Sequence, residues 1–193
     1  MGTIIVRALD IGFGSTKLVM SHTSGVDIHC KLFPSLSPLA TNLDLSGGGV
    51  IARRDTVVVH VDGNAFEVGP DAELALNTHA SRVMHQNFSQ TSEYLALFRG
   101  ALSYMKTDRI DLLVVGLPVS SLPTKTAYLK RRLEGMHPVA GGKTVTVNKV
   151  LVLAQPIGGF IHYSLSHGLY SQLRQSKNLI IDPGFFTVDW VLA

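Results

Sequence analysis

One arrangement occurs twice in this chain and limits its fold more than any other feature. An apolar strand ends on aspartate, a tight glycine-containing turn follows, and the next strand carries Ser or Thr. The first copy is Leu9-Asp10-Ile11-Gly12-Phe13-Gly14-Ser15-Thr16-Lys17. The second is Leu179-Ile180-Ile181-Asp182-Pro183-Gly184-Phe185-Phe186-Thr187-Val188-Asp189. Either alone fits an ordinary hairpin turn, because glycine-rich turns are common. Two in one chain suggest a pair of pseudo-symmetric clamps that face each other across one ligand.

The chemistry of the first copy leaves three readings to compare. A dinucleotide fingerprint needs a third glycine and a helix directly after it; Lys17 stands in the glycine's place and a strand pattern follows. A P-loop needs Gly-x-x-x-x-Gly-Lys-Ser/Thr, and the spacing fails. The third reading is a tight β-turn whose backbone N–H groups face a phosphate. Gly12 and Gly14 allow close approach there, while Ser15 and Lys17 add a hydroxyl and a cation. Asp10, at the strand end, is placed to hold Mg²⁺ through water, since magnesium keeps much of its hydration shell. A polyphosphate bridging both turns would let Asp10 and Asp182 share one hydrated metal. Gln155, at a strand-to-helix junction between the two copies, is suited to orienting an attacking water; helix capping is the competing role.

The rest of the pattern fits a layered α/β domain. Thr3–Asp10, Thr16–Ser21 and Val26–Phe33 read as strands. Residues 34–89 differ in texture, with Pro34, Pro38 and the Gly47–Gly49 run. They are expected to form a small inserted subdomain containing a hairpin, Thr56–Val61 and Ala65–Val68, turned at Asp62-Gly63-Asn64. A helix is predicted from Gln90 to Met105, capped by Ser89, with Tyr94, Leu97, Phe98, Ala101, Leu102 and Met105 on one face. Asp111–Leu117 reads as a strand buried on both faces. A helix from Pro123 to Leu133, one strand over Thr144–Leu153, and a helix opening at Pro156 follow. The last helix carries the stripe Ile157, Phe160, Ile161, Leu165 and Leu169. Asn178–Asp182 and Thr187–Leu192 close the pattern.

Composition excludes several alternatives. No run of about 18 uncharged apolar residues is present, which argues against a membrane span, and no basic leader with a small-residue cleavage site opens the chain. The single Cys30 cannot form an internal disulfide, which fits the reducing cytoplasm. Net charge is only +3. The basic spots Arg53-Arg54 and Lys130-Arg131-Arg132 read as solvated surface, so no direct nucleic-acid contact is expected. Gly141-Gly142-Lys143-Thr144 mimics the end of a P-loop, but His137 holds the required glycine's place; it reads as a hairpin turn. The histidines lack the i, i+4 spacing of helical zinc ligands: His79 and His85 are six apart, His162 and His167 five. Ser120-Ser121 lacks the elbow of a serine hydrolase.

Together, the first turn, the Gln155-Pro156 junction and the Asp-x-Gly-x-x-Thr-x-Asp turn resemble the actin/Hsp70/sugar-kinase superfamily. Within it the chain is most similar to bacterial actin-like plasmid-partition proteins of the ParM/StbA type. The string Asp-Pro-Gly-Phe-Phe-Thr-Val-Asp-Trp resembles the protein D family of PRTRC plasmid systems. The order of elements matches over nearly the whole chain, but only the three motifs are specific. The resemblance implies a ribonuclease H-like, actin-like ATPase lobe: a mixed sheet with flanking helices, spanning residues 1–193 as the N-terminal lobe. It implies Mg-ATP as cofactor, with hydrolysis coupled to filament assembly, plasmid segregation or another conformational cycle. Position by position, Asp10 and Asp182 match the metal-associated carboxylates, and Gln155 the water-positioning residue. Gly12, Gly14, Ser15, Thr16 and Lys17 match the first phosphate loop; Gly184, Phe185 and Thr187 match the second.

Two departures stand out. Phe185-Phe186 replaces the small residue usual in the second loop, so closer phosphate approach is hindered there. Family members also continue for well over a hundred residues beyond this motif, so these 193 residues are expected to supply half a cleft and to be inactive alone. The implied partners are further copies of itself, a second lobe, and a DNA-adaptor protein. The alternatives are a small-molecule kinase of the same superfamily and an inactive interaction module.

Overall fold

The structure is a computed structural model that describes residues 3–22, 28–40, 54–75 and 84–193. The Gly47–Gly49 run, Arg53, His79 and the start of the third strand at Val26 lie outside the described residues. The elements are β1 (Val6–Ile11), β2 (Ser15–His22), β3 (Ile28–Pro34), β4 (Val57–Val61), β5 (Asn64–Val68), α1 (Ser92–Tyr104), β6 (Arg109–Ile110), β7 (Leu112–Leu117), α2 (Leu122–Leu133), β8 (Gly135–Pro138), β9 (Thr144–Val147), β10 (Val150–Ala154), α3 (Gln155–Ser166), α4 (Tyr170–Leu173), β11 (Leu179–Pro183) and β12 (Val188–Leu192).

Five strands form the main sheet in the order β10-β7-β1-β2-β3. β1 runs parallel to β7 and antiparallel to β2, so the sheet is mixed. Period-two alternation decides its two faces. Leu9, Ile11, Leu18, Phe33, Leu113, Val115 and Leu117 all turn to one side and are buried. That side receives α1, whose six expected apolar residues are each buried to within 2%. Leu97, Phe98, Leu102 and Met105 each contribute about 1.5–3 kcal/mol by this burial. α1 is buried more fully than a one-sided stripe requires, because the β4–β5 hairpin packs on it as well. That hairpin turns at Asp62 and Gly63, both at positive φ as the Asp-Gly signal predicts. Tyr104 of α1 and Lys31 of β3 both reach Asp55, just before β4, and tie the base of the hairpin to those two elements.

Four local expectations are corrected. The cap of α1 is Thr91, whose side chain accepts from the Tyr94 N–H; Ser89 lies in a preceding 3₁₀ turn, Phe88–Gln90. Thr144–Leu153 is two strands, not one. The chain leaves a three-stranded sheet (β6-β9-β8) at Asn148 and joins the main sheet at Val150. The alternation slips by one residue at this junction: Val145 and Val147 are buried, Asn148 and Lys149 are exposed, and Val150 and Val152 are buried again as the pairing partner changes. β7 is buried on one face only, with Leu112, Val114 and Gly116 half-buried on the other. Finally, α3 ends at Ser166, before Leu169, and its stripe is largely open, with Ile161 and Leu165 exposed. Both of the last two corrections have one cause: among the described residues, the second face of the sheet carries little besides the start of α3.

Candidate functional site

The two aspartate turns share one backbone construction. In the first, the Gly12 N–H donates to the Ser15 carbonyl at 3.1 Å; in the second, the Gly184 N–H donates to the Thr187 carbonyl at 2.8 Å. Asp10 lies across from Lys17 in one ladder, and Asp182 across from Asp189 in the other. An added Cβ on Gly12 or Gly184 would press on those same accepting carbonyls, at 3.2 and 3.0 Å. Glycine at these two positions therefore answers to each turn's own closure.

Asp10, Lys17, Gln155 and Asp182 line one cleft of about 510 Å³. Its floor is the half-covered sheet face, with Ala8, Val19 and Val114, and the start of α3 and β11 form its wall. The residues at its polar end are joined directly. The Gln155 side-chain N–H donates to Asp10 Oδ1 at 2.7 Å, and the Lys17 ammonium lies 3.4 Å from Oδ2. Gln155 opens α3 and Asp10 lies next to the end of β1, with β7 between them, so the bond must cross a strand. Gly116 makes that possible: a Cβ there would meet Gln155 Cγ at 2.8 Å and Asp10 Oδ1 at 3.0 Å. A glycine inside a strand is a signal of close approach, and Val-Val-Gly-Leu carries that signal without naming which groups approach.

The other predicted residues are distributed unevenly. Ser15 and Gly184 sit at the turns, each taking part in its own turn's closing bond. Thr16 is fully buried and its hydroxyl bonds to Ser35 at 2.9 Å, so it points away from the cleft. The Thr187 hydroxyl lies 3.0 Å from Asp189, whose other oxygen accepts the Val119 N–H at 2.8 Å. Asp189 is buried and pins the second hairpin to the 3₁₀ turn Val119–Ser121. Lys17 and Asp189 hold equivalent places, yet one offers a cation to the cleft and the other anchors its strand.

Behind the turns lies a smaller cavity of about 50 Å³, lined by Phe13, Phe88, Ser89, Tyr94, Gln155, Phe186 and Thr187 among others. Ser89 Oγ and the Tyr94 hydroxyl are buried with no partner among the described residues. Burial, with a smaller contribution from the negative charge of Asp10, pushes the Tyr94 hydroxyl pKa well up, so it remains a proton donor. Room and polarity both suit a bound water here. Sequence patterning placed Tyr94 only on an apolar helix face.

No group of three or more His, Cys, Asp or Glu among the described residues could enclose a metal. Two cleft carboxylates without a third ligand suit a hydrated magnesium held largely by a ligand's phosphates. Among the described residues no helix is long and apolar enough to cross a membrane.

A mixed sheet and a separate two-stranded hairpin, each bringing a matched aspartate turn to one cleft, define the chain's class as an actin-like lobe. The family described as "Actin like proteins N terminal domain" matches residues 8–158, and the chain belongs to it. Solved structures show the same fold. The AlfA filament bound to AMPPNP aligns with a TM-score of 0.72 at 19% identity, over 98% of this chain and 65% of that one. The archaeal actin homologue Ta0583 in complex with ADP gives 0.70 at 19% identity, over 98% and 55%. Apo psk41 parM protein gives 0.63 at 16% identity, over 99% and 66%. The chain thus spans between 55% and 66% of these relatives' lengths. No curated protein sequence matches it significantly.

Proposed function

We propose that this chain is the nucleotide-phosphate-binding lobe of an actin-like ATPase, holding Mg-ATP between the turns at Gly12–Ser15 and Gly184–Thr187. The observation that carries this is the repeated turn itself: two hairpins with the same closing bond, each presenting an aspartate to one cleft. Asp10 and Asp182 would hold hydrated magnesium, Lys17 would neutralise phosphate charge, and Gln155 would orient water. The Gln155–Asp10 bond supports that last role, because it fixes the amide beside a metal-associated carboxylate. Ser15 and Thr187 would bind through backbone and hydroxyl groups. Thr16 would act only by setting the strand behind the turn.

The relatives with bound AMPPNP and ADP support nucleotide as the ligand, and the AlfA filament supports self-association. A cytoplasmic role in plasmid segregation, with an adaptor protein and a second lobe as partners, is the reading that fits best. Residues 34–89 would be its inserted subdomain. The sequence around Asp182 favours the protein D type of PRTRC systems within the group. In a chain carrying both lobes, Asp182→Ala is expected to abolish ATP turnover while leaving the circular-dichroism spectrum unchanged. Turnover at the unsubstituted rate would sink the assignment.

A further inference from the structure

The two turns touch through aromatic rings. Phe13, at the tip of the first turn, lies 4.8 Å from Phe186 of the second, ring centre to ring centre, with the planes tilted by 53°. Its other side stacks on Phe88 at 5.2 Å, and Phe88 meets buried Tyr94 edge-on at 5.4 Å. A four-ring ladder therefore runs from the core beneath α1 out to the second turn. Beside it, a Cβ built on Gly14 would fall 3.0 Å from Phe185 Cβ and 3.2 Å from its Cγ. The phenyl group of Phe185 thus occupies the space directly over the first turn's backbone. A phosphate drawn to that backbone competes with the ring for the same volume.

Resting on the nucleotide reading above, we infer that Phe185 and Phe186 form an aromatic latch that decides whether a phosphate chain enters between the turns. In the latched arrangement the two rings fill the gap. Entry of a nucleoside triphosphate's terminal phosphate displaces Phe185 and parts Phe186 from Phe13. Neither ring must leave a closed core to move, because Phe185 is 65% and Phe186 47% exposed. Opening is confined to the tip, since Asp189 holds the hairpin's second strand to Val119. Phe186 and Gln155 also line the same small cavity, so the latch's position reaches the amide assigned to the attacking water.

An aromatic pair of this kind shifts an equilibrium by roughly two- to tenfold, which sets the size of the effect. The test is calorimetric titration of the 193-residue chain, as wild type, Phe185→Gly, Phe186→Ala and Phe186→Leu, with Mg-ATP and with Mg-tripolyphosphate. Ring-to-ring nuclear Overhauser effects between Phe13 and Phe186 are recorded without ligand. The latch requires those effects in the wild type and their loss on ligand addition. It also requires Phe185→Gly and Phe186→Ala to bind roughly threefold tighter or better, with Phe186→Leu between, and all variants to melt near the wild type. Equal affinity in wild type and variants overturns the latch and leaves the nucleotide reading standing. Weaker binding by the variants overturns it too, because the rings would then be ligand contacts. Binding by none of the four proteins, repeated with both lobes present, overturns the latch and removes support for the nucleotide reading together.

Discussion

The β1–β2 and β11–β12 hairpins have the same turn and opposite surroundings. β1 and β2 lie inside the five-stranded sheet, and α1 covers Leu9, Ile11 and Leu18. β11 and β12 form a two-stranded sheet of their own. One face of it packs toward α3, and the other carries Leu179, Ile181, Val188, Trp190 and Leu192, each more than 60% exposed. Cross-strand pairs Leu179–Leu192 and Ile181–Trp190 make this a continuous apolar face. An isolated hairpin is marginal in water, so the second turn depends on its few anchors, Asp189 above all, where the first depends on a whole core. A clamp made of one rigid and one lightly held turn can change its gap by moving a single side.

That contrast predicts a steep gradient in mutational cost. Leu102→Ala, in the fully buried face of α1, should lower unfolding free energy by about 2–5 kcal/mol. Trp190→Ala, on the bare face, should change it by about 0.5 kcal/mol or less. Urea titration of both variants measures the difference, and comparable losses would break the comparison. Asp189→Ala comes next. It leaves the Val119 N–H without its carboxylate partner, at about 1–3 kcal/mol. Hydrogen exchange should quicken in β11–β12 and stay unchanged in β1–β2.

The smallest effect is a pH dependence confined to the packed half. Burial holds His137 below the usual histidine range, outweighing its bond to the Leu133 carbonyl, and its ring lies edge-on to Phe98. The folded state therefore binds this proton less readily than the unfolded state does. Stability from neutral His137 is present above the ordinary pKa of about 6.5 and falls as pH drops through the lowered folded value. His137→Gln should flatten the fall in melting temperature between pH 7 and pH 5, and should leave exchange in β11–β12 as it was.

Much of the site was legible because it rests on local chemistry. Asp10, Gly12, Asp182 and Gly184 announce their turns by residue type and spacing, and the closing bonds follow from those turns. Gln155 was legible as a polar residue at a junction, although its partner was not. The Asp10 bond spans 145 positions and exists only because Gly116 leaves room on the strand between. Thr16 shows the opposite failure. Its place in the motif suggested the phosphate, but strand alternation turns it inward to Ser35. The β9–β10 break had a local sign in the polar pair Asn148-Lys149, where the alternation slips by one, but alternation says nothing of which strand becomes the neighbour.

By itself, then, the sequence determined the two aspartate turns, the α1 core face and the mixed α/β order, since each depends on backbone sterics or periodicity within a short window. That the two turns face one ligand was suggested by their repetition; the tertiary structure alone decided that Gln155 bonds to Asp10 and that Phe13 and Phe186 touch. Those are contacts between segments far apart in the chain, where no local preference specifies a partner and only the packing of the whole lobe brings the groups within reach.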